Sequence, residues 1–145
     1  MKTTAILDLM IRDHRQILSY LDDVERNIDK DFHLMQDSFH RFQWNLEKHF
    51  FVEERAIFIS YFPNESSQDY HYFSDLMNQH ENIFATFNMM RNKMEILTKN
   101  ELMKFKEMLV KHKNFEEKQI YPVIEKEIDD IEKQYILDRI RDIRL

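Results

Sequence analysis

The chain has 145 residues, a formal net charge of −6, two prolines, and neither glycine nor cysteine. The missing cysteine excludes disulfides, thiolate zinc sites, iron–sulfur clusters and cysteine nucleophiles, and the scattered charges of both signs argue against nucleic acid as a partner. Hairpin turns lean on glycine and helix interiors tolerate it badly, so a single all-α domain over residues 1–145 is the expected class.

The first predicted helix covers about residues 4–28, with the stripe Leu7, Ile11, His14, Leu18 and Leu21. Asp8, Arg12 and Asp13 interrupt its start, which denies it the apolar core of a signal peptide. No apolar run approaches the roughly 20 residues of a membrane span, so no membrane partner is expected and the expected location is cytoplasmic. Asp31 caps a second predicted helix, 31–60, which carries Phe39, Phe42, Leu46, His49, Glu53 and Ile57 on one face. After a loop at Pro63, Ser66 with Asp69 forms an approximate capping box and opens a third helix, 66–95, with the stripe Phe73, Met77, His80, Phe84 and Phe87. Thr98 with Glu101 is a better capping box for a fourth, 99–120, whose stripe is Leu102, Phe105, Leu109, His112 and Glu116. Pro122 ends, kinks or restarts the chain there, and Ile124, Ile128, Ile131 and Tyr135 predict a short extra helix over 122–142. Four long helices with short connections give an antiparallel up-down four-helix bundle with that helix added.

One phrase occurs twice: KHFFVEERAIF from Lys48 and KHKNFEEKQIY from Lys111. A helical residue four positions on lies about 40° round the axis and about 6 Å along it, so His49 with Glu53, and His112 with Glu116, each make a two-toothed metal claw. His14 and His80 occupy the same mid-helix level on the other two stripes. His49 lies about 15 residues before the second turn and His80 about 16 after it, which brings them within one turn of each other at about 1.5 Å per residue. His33, His40 and His71 face away from this level and are read as surface residues. Glu54 and Glu117, about 140° from their histidines, face solvent or act behind the inward set.

A lone histidine in a core stripe is ordinarily a hydrogen-bonded structural residue. Four at one level, with two inward carboxylates and no Lys or Arg on their stripes, point to metal, because a buried carboxylate is costly without a cation. Imidazole and carboxylate suit iron, manganese or zinc. The repeat divides the chain into two similar hairpins and favours two equivalent metals bridged by Glu53 and Glu116. The ferritin-like plan, Glu-x-x-His, is absent from the inward faces. A haem bundle would leave both glutamates buried without purpose.

The order His, His-x-x-x-Glu, His, His-x-x-x-Glu on four helices resembles the hemerythrin-like cation-binding domains, over essentially the whole chain up to about Pro122. The resemblance implies a non-haem di-iron centre ligated by His14, His49, Glu53, His80, His112 and Glu116. It also implies that the glutamates bridge the two irons together with an oxo or hydroxo group. Reversible oxygen carriers of this family have a fifth histidine in a His-x-x-x-His pair on the third helix, and a His-x-x-x-x-Asp on the fourth. Here His80 has Leu76 and Phe84 at that spacing, and His112 has Glu116 at the shorter one. Two six-coordinate irons offer about twelve positions, of which this set fills about ten. Open positions favour a protein that binds or reacts with oxygen, nitric oxide or hydrogen peroxide, in oxygen sensing or in oxidative or nitrosative stress; carrier, sensor and enzyme all fit. A fifth ligand from His33, His40 or Tyr20 would close one position. The alternative is an iron-sensing regulatory module ordered by metal, with the helix after Pro122 as its output.

Overall fold

Local sequence signals set most element boundaries in the computed structural model, which describes residues 5–144. Six α-helices follow one another: α1 (Ala5–Asn27), α2 (Phe32–Val52), α3 (Tyr70–Asn92), α4 (Lys99–Phe115), α5 (Tyr121–Glu127) and α6 (Asp130–Arg144). Among the described residues there is no strand, and no helix is long and apolar enough to cross a membrane. The expected start of the first helix at Thr4 lies outside the described residues. Asp31 caps α2 by accepting from the backbone N–H groups of His33 at 2.8 Å and Leu34 at 3.4 Å. Thr98 and Glu101 close a reciprocal capping box at the start of α4, at 3.1 and 3.3 Å.

Other boundaries differ from the sequence expectation. The Ser66–Asp69 box does not form: Asp69 makes no side-chain cap. Its own N–H instead bonds Ser67 Oγ at 3.2 Å. That hydroxyl holds residues 66–69 in a turn, so α3 begins at Tyr70. The long second and fourth helices are not uniform. Each α-helix passes into a single π turn, Glu53–Ile57 after α2 and Glu116–Ile120 after α4. The chain then continues through Pro122 in the first turn of α5 without a break. Proline normally clashes with the carbonyl four residues back, and the wider π turn just before it supplies the missing room. The expected helix 122–142 is two helices. Ile128 is extended (φ −96°, ψ 149°), and Asp129 restarts the helix by accepting from Glu132 N–H at 2.8 Å. The restart shifts the phase: Ile136 and Ile140 are buried, while Ile131 and Tyr135, expected on the inner stripe, are exposed.

The apolar stripes of α2 and α4 face inward as read. In α1 and α3 the expected stripe holds at His14, Leu21, Phe73, His80 and Phe87 but shifts by one residue elsewhere, with Ile6, Met10 and Ile17 buried in place of Leu7, Ile11 and Leu18, and Leu76 and Ile83 in place of Met77 and Phe84. Both neighbours are apolar at these positions, so periodicity alone could not fix the phase.

The core falls into two clusters. One unites late α1 (Ile17, Leu21, Val24) with early α2 (Phe39, Phe42, Leu46), late α3 (Ile83, Phe87) and early α4 (Leu102, Phe105, Leu109). Late-on-early pairing of this kind is the mark of antiparallel neighbours, and it confirms the up-down bundle. The second cluster unites Ile6 and Met10, Ala56 and Ile57, Phe73 and Leu76, and Ile120 to Ile124 with Ile136 and Ile140 of α6. Between the two clusters, on all four long helices, stand the histidines.

Candidate metal centre

His14, His49, His80 and His112 are each at most 4 % exposed, and Glu53 and Glu116 are fully buried. Their inward atoms are the four Nε2 nitrogens and the two Oε1 oxygens. Glu53 Oε1 lies 3.2 Å from both His49 Nε2 and His80 Nε2. Glu116 Oε1 lies 3.1 Å from His14 Nε2, 2.9 Å from His112 Nε2 and 3.7 Å from His49 Nε2. Each oxygen thus sits between imidazoles of different hairpins. Two overlapping groups can each hold a cation: Glu53, His80, His112 and Glu116 on one side, and His14, His49 and Glu116 on the other. Glu116 belongs to both.

The outer nitrogens explain why the inner ones converge. His49 Nδ1–H donates to Asp13 Oδ2 at 2.7 Å, His14 Nδ1–H to Glu117 Oε2 at 2.8 Å, and His112 Nδ1–H to Gln79 Oε1 at 2.8 Å. A histidine whose Nδ1 is so engaged turns its Nε2 lone pair inward, the usual arrangement behind metal-binding imidazoles. For His80 the corresponding group is Glu54, at 3.7 Å and half exposed, too far for a hydrogen bond. Asp13 and Gln79 gave no sequence signal beyond lying one residue before His14 and His80 respectively. Of the two outer glutamates, Glu117 bonds a histidine of another helix, His14, and Glu54 stays beyond hydrogen-bond range of His80.

Part of the donor set lacks protons of its own. Burial pushes His112 down to about 3, so it is neutral, with its Nδ1–H given to Gln79. Its bare Nε2 nevertheless faces a carboxylate oxygen at 2.9 Å. Glu53 Oε1, His80 Nε2 and His112 Nε2 are buried without a well-directed hydrogen bond, although Glu53 Oε1 lies 3.2 Å from His80 Nε2 and His112 Nε2 lies 2.9 Å from Glu116 Oε1. A bare imidazole nitrogen and a carboxylate oxygen facing each other at this length without a proton between them suit a cation. The residues present therefore fit a metal.

Charges around the site are unevenly shared. His49 is raised to about 9: burial opposes its charge, but Glu53 and the Asp13 hydrogen bond override it. Glu53 is correspondingly held well below the usual carboxylate range, against the pull of burial, by the charge on His49. His14 is lowered by burial.

Sequence reasoning missed Tyr121, which is fully buried. Its hydroxyl lies 2.6 Å from Glu53 Oε2 and 3.0 Å from Glu116 Oε2. Burial, and then the charge of Glu53, raise it well above the ordinary phenol value, so it keeps its proton and donates. His33 and His40 are exposed, and Tyr20 packs half-buried against the first core cluster with its hydroxyl accepting from Gln16; none of the three stands among the clustered donors of the described residues.

An all-α bundle with four buried imidazoles and two buried carboxylates across its middle defines a His/Glu cation-binding domain. The description of the hemerythrin HHE cation binding domain family matches residues 5–124, and the chain belongs to that family. Comparison with curated proteins and with solved structures finds no match.

Proposed function

We propose that this chain is a non-haem di-iron protein that binds or reacts with oxygen, nitric oxide or hydrogen peroxide, with His14, His49, Glu53, His80, His112 and Glu116 as the iron ligands. The observation that carries the reading is the sharing of Glu116 between two donor groups. A carboxylate oxygen common to two groups suits a pair of cations better than one. Iron, when bound here, supplies redox chemistry and open coordination positions for a small oxidant. His14, His49 and His112 border a cavity of about 20 Å³, otherwise walled chiefly by Ile17, Leu46, Phe50 and Leu109. About 10–15 Å³ of such space admits one water-sized molecule, so the cavity suits a single diatomic or peroxide. Asp13, Glu117 and Gln79 hold the imidazoles in their inward tautomer, and the apolar walls limit access of bulk water.

Anaerobically iron-loaded protein exposed in turn to each gas and to peroxide should change its absorption spectrum with at least one. Unchanged spectra in all three cases would sink the reading.

A second reading is favoured by the docking of α6. Arg139 donates to Ala56 O at 2.9 and 3.2 Å and to Ser60 Oγ. Ala56 lies in the π turn that begins at Glu53, so the last helix is fastened to the same turn as an iron ligand. In this reading the chain is an iron sensor and α6 its output. It requires chelation to loosen the bundle, seen as a lower melting temperature. Identical melting with and without iron would eliminate it.

A further inference from the structure

The two copies of the repeated phrase differ at their last residue: Phe58 in the first, Tyr121 in the second. Each closes a π turn, with the Phe58 N–H bonded to Glu53 O at 2.8 Å and the Tyr121 N–H bonded to Glu116 O. Phe58 packs on the rings of Phe62 and Phe73. Tyr121 instead reaches the middle of the bundle, where one hydroxyl meets the Oε2 atoms of both buried glutamates, 2.6 Å from Glu53 and 3.0 Å from Glu116. The Oε1 atoms of the same carboxylates face the imidazoles. The single phenol proton, shared between these two acceptors and held more tightly by Glu53, therefore bridges side chains from different hairpins.

We propose that Tyr121 is a positioning residue whose hydroxyl fixes the rotation of both carboxylates, so that the site holds two cations instead of one. The proposal rests on the two-metal reading above. A carboxylate free to turn about its last bond can present both oxygens to one cation and close its coordination. Pinned at Oε2, it cannot swing edge-on, and its Oε1 stays between a histidine of the first hairpin and one of the second. The hydrogen bond suits the task, because a hydroxyl donating to a carboxylate at about 2.5–2.7 Å is among the strong, directional kinds. The 2.6 Å contact to Glu53 lies in that range. The rest of the phenol ring fills apolar space with Ile57, Ile120 and Ile124, so loss of the oxygen alone leaves the packing in place.

The test uses cobalt(II), whose visible bands report coordination, with metal-free wild type, Tyr121→Phe and Tyr20→Phe as a control distant from the site. Wild type and Tyr20→Phe should take up two cobalt ions per chain. Tyr121→Phe should bind the first within about threefold of wild type and the second about 10–100-fold more weakly, the loss typical of removing a group that orients metal ligands. The magnetic coupling between the two ions should weaken with it. Helical circular dichroism of the metal-free chains should coincide. If wild type binds fewer than two ions, the two-metal reading itself fails. If wild type binds two and Tyr121→Phe binds both with unchanged constants, the positioning role is overturned. A Tyr121→Phe chain that has lost its helicity without metal would assign the hydroxyl to the fold and overturn the role equally.

Discussion

Glu54 and Glu117 occupy equivalent places in the repeat, one step after each inward glutamate, and replacing each by Ala separates what sequence symmetry leaves together. Glu117 Oε2 accepts from His14 Nδ1 at 2.8 Å with the side chain 18 % exposed. Glu54 Oε1 stands 3.7 Å from His80 Nδ1 and is 50 % exposed. A hydrogen bond to a charged group contributes about 1.5–3 kcal/mol. Partial exposure places Glu117 near the low end, about 1.5–2 kcal/mol, which is roughly ten- to thirtyfold in metal affinity at 1.4 kcal/mol per decade. An exposed pair beyond hydrogen-bond range contributes at most about 0.5 kcal/mol, or roughly twofold. Competition between the protein and a chromophoric chelator for iron(II), under anaerobic conditions, measures both. Equal losses in the two variants, or a loss confined to Glu54→Ala, would refute the assignment of Glu117 as the residue that orients His14.

Replacing Glu116 by Ala should lower bound iron per chain further than replacing Glu53, because Glu116 Oε1 faces three imidazoles and Glu53 Oε1 two; metal analysis of the purified variants decides. In the metal-free protein His49 holds its proton up to about pH 9, above its unfolded value of 6.5. That proton therefore stabilises the metal-free fold below pH 6.5, and its contribution is lost as pH rises through 9. Metal must displace the same proton, so apparent iron affinity should rise about tenfold per pH unit between pH 7 and 9 and level off above; a flat profile would show that His49 carries no proton to lose. Phe42 is fully buried and packs on Phe87 and Phe105. Phe42→Ala should cost about 3–5 kcal/mol, a fall in melting temperature of about 10 °C or more, while leaving iron stoichiometry unchanged.

The bundle and the convergence of six side chains could be read from helical periodicity, because His49, Glu53, His112 and Glu116 sit on stripes of constant phase. Tyr121 could not. At about 100° per residue, a side chain five places after Glu116 points about 140° away from it, and only a turn bonded five residues back returns it to the same face. Nothing in the residue types of EEKQI announces such a turn, although Pro122 just after it is a trace of the space the turn creates. Asp13 and Gln79 stayed hidden for a related reason. A polar residue beside a core position looks like any other surface group until the neighbouring helix is in place. The break at Ile128–Asp129 was accessible, since Asp129 followed by Glu132 is a capping signal. An unbroken run of isoleucines at helical spacing outweighed it.

The polar layer divides the hydrophobic interior into two unequal halves, neither large enough to stand on its own as a stable domain. Unfolding can be all-or-none only if the layer transmits the collapse of one half to the other. Without a cation, that junction consists of a proton on His49, a phenol and a few oriented imidazoles. On the proposed reading a metal at this level would be a rivet as well as a reagent, and the end of the bundle closed by α6 is the part whose amide hydrogens should exchange sooner once the rivet is drawn.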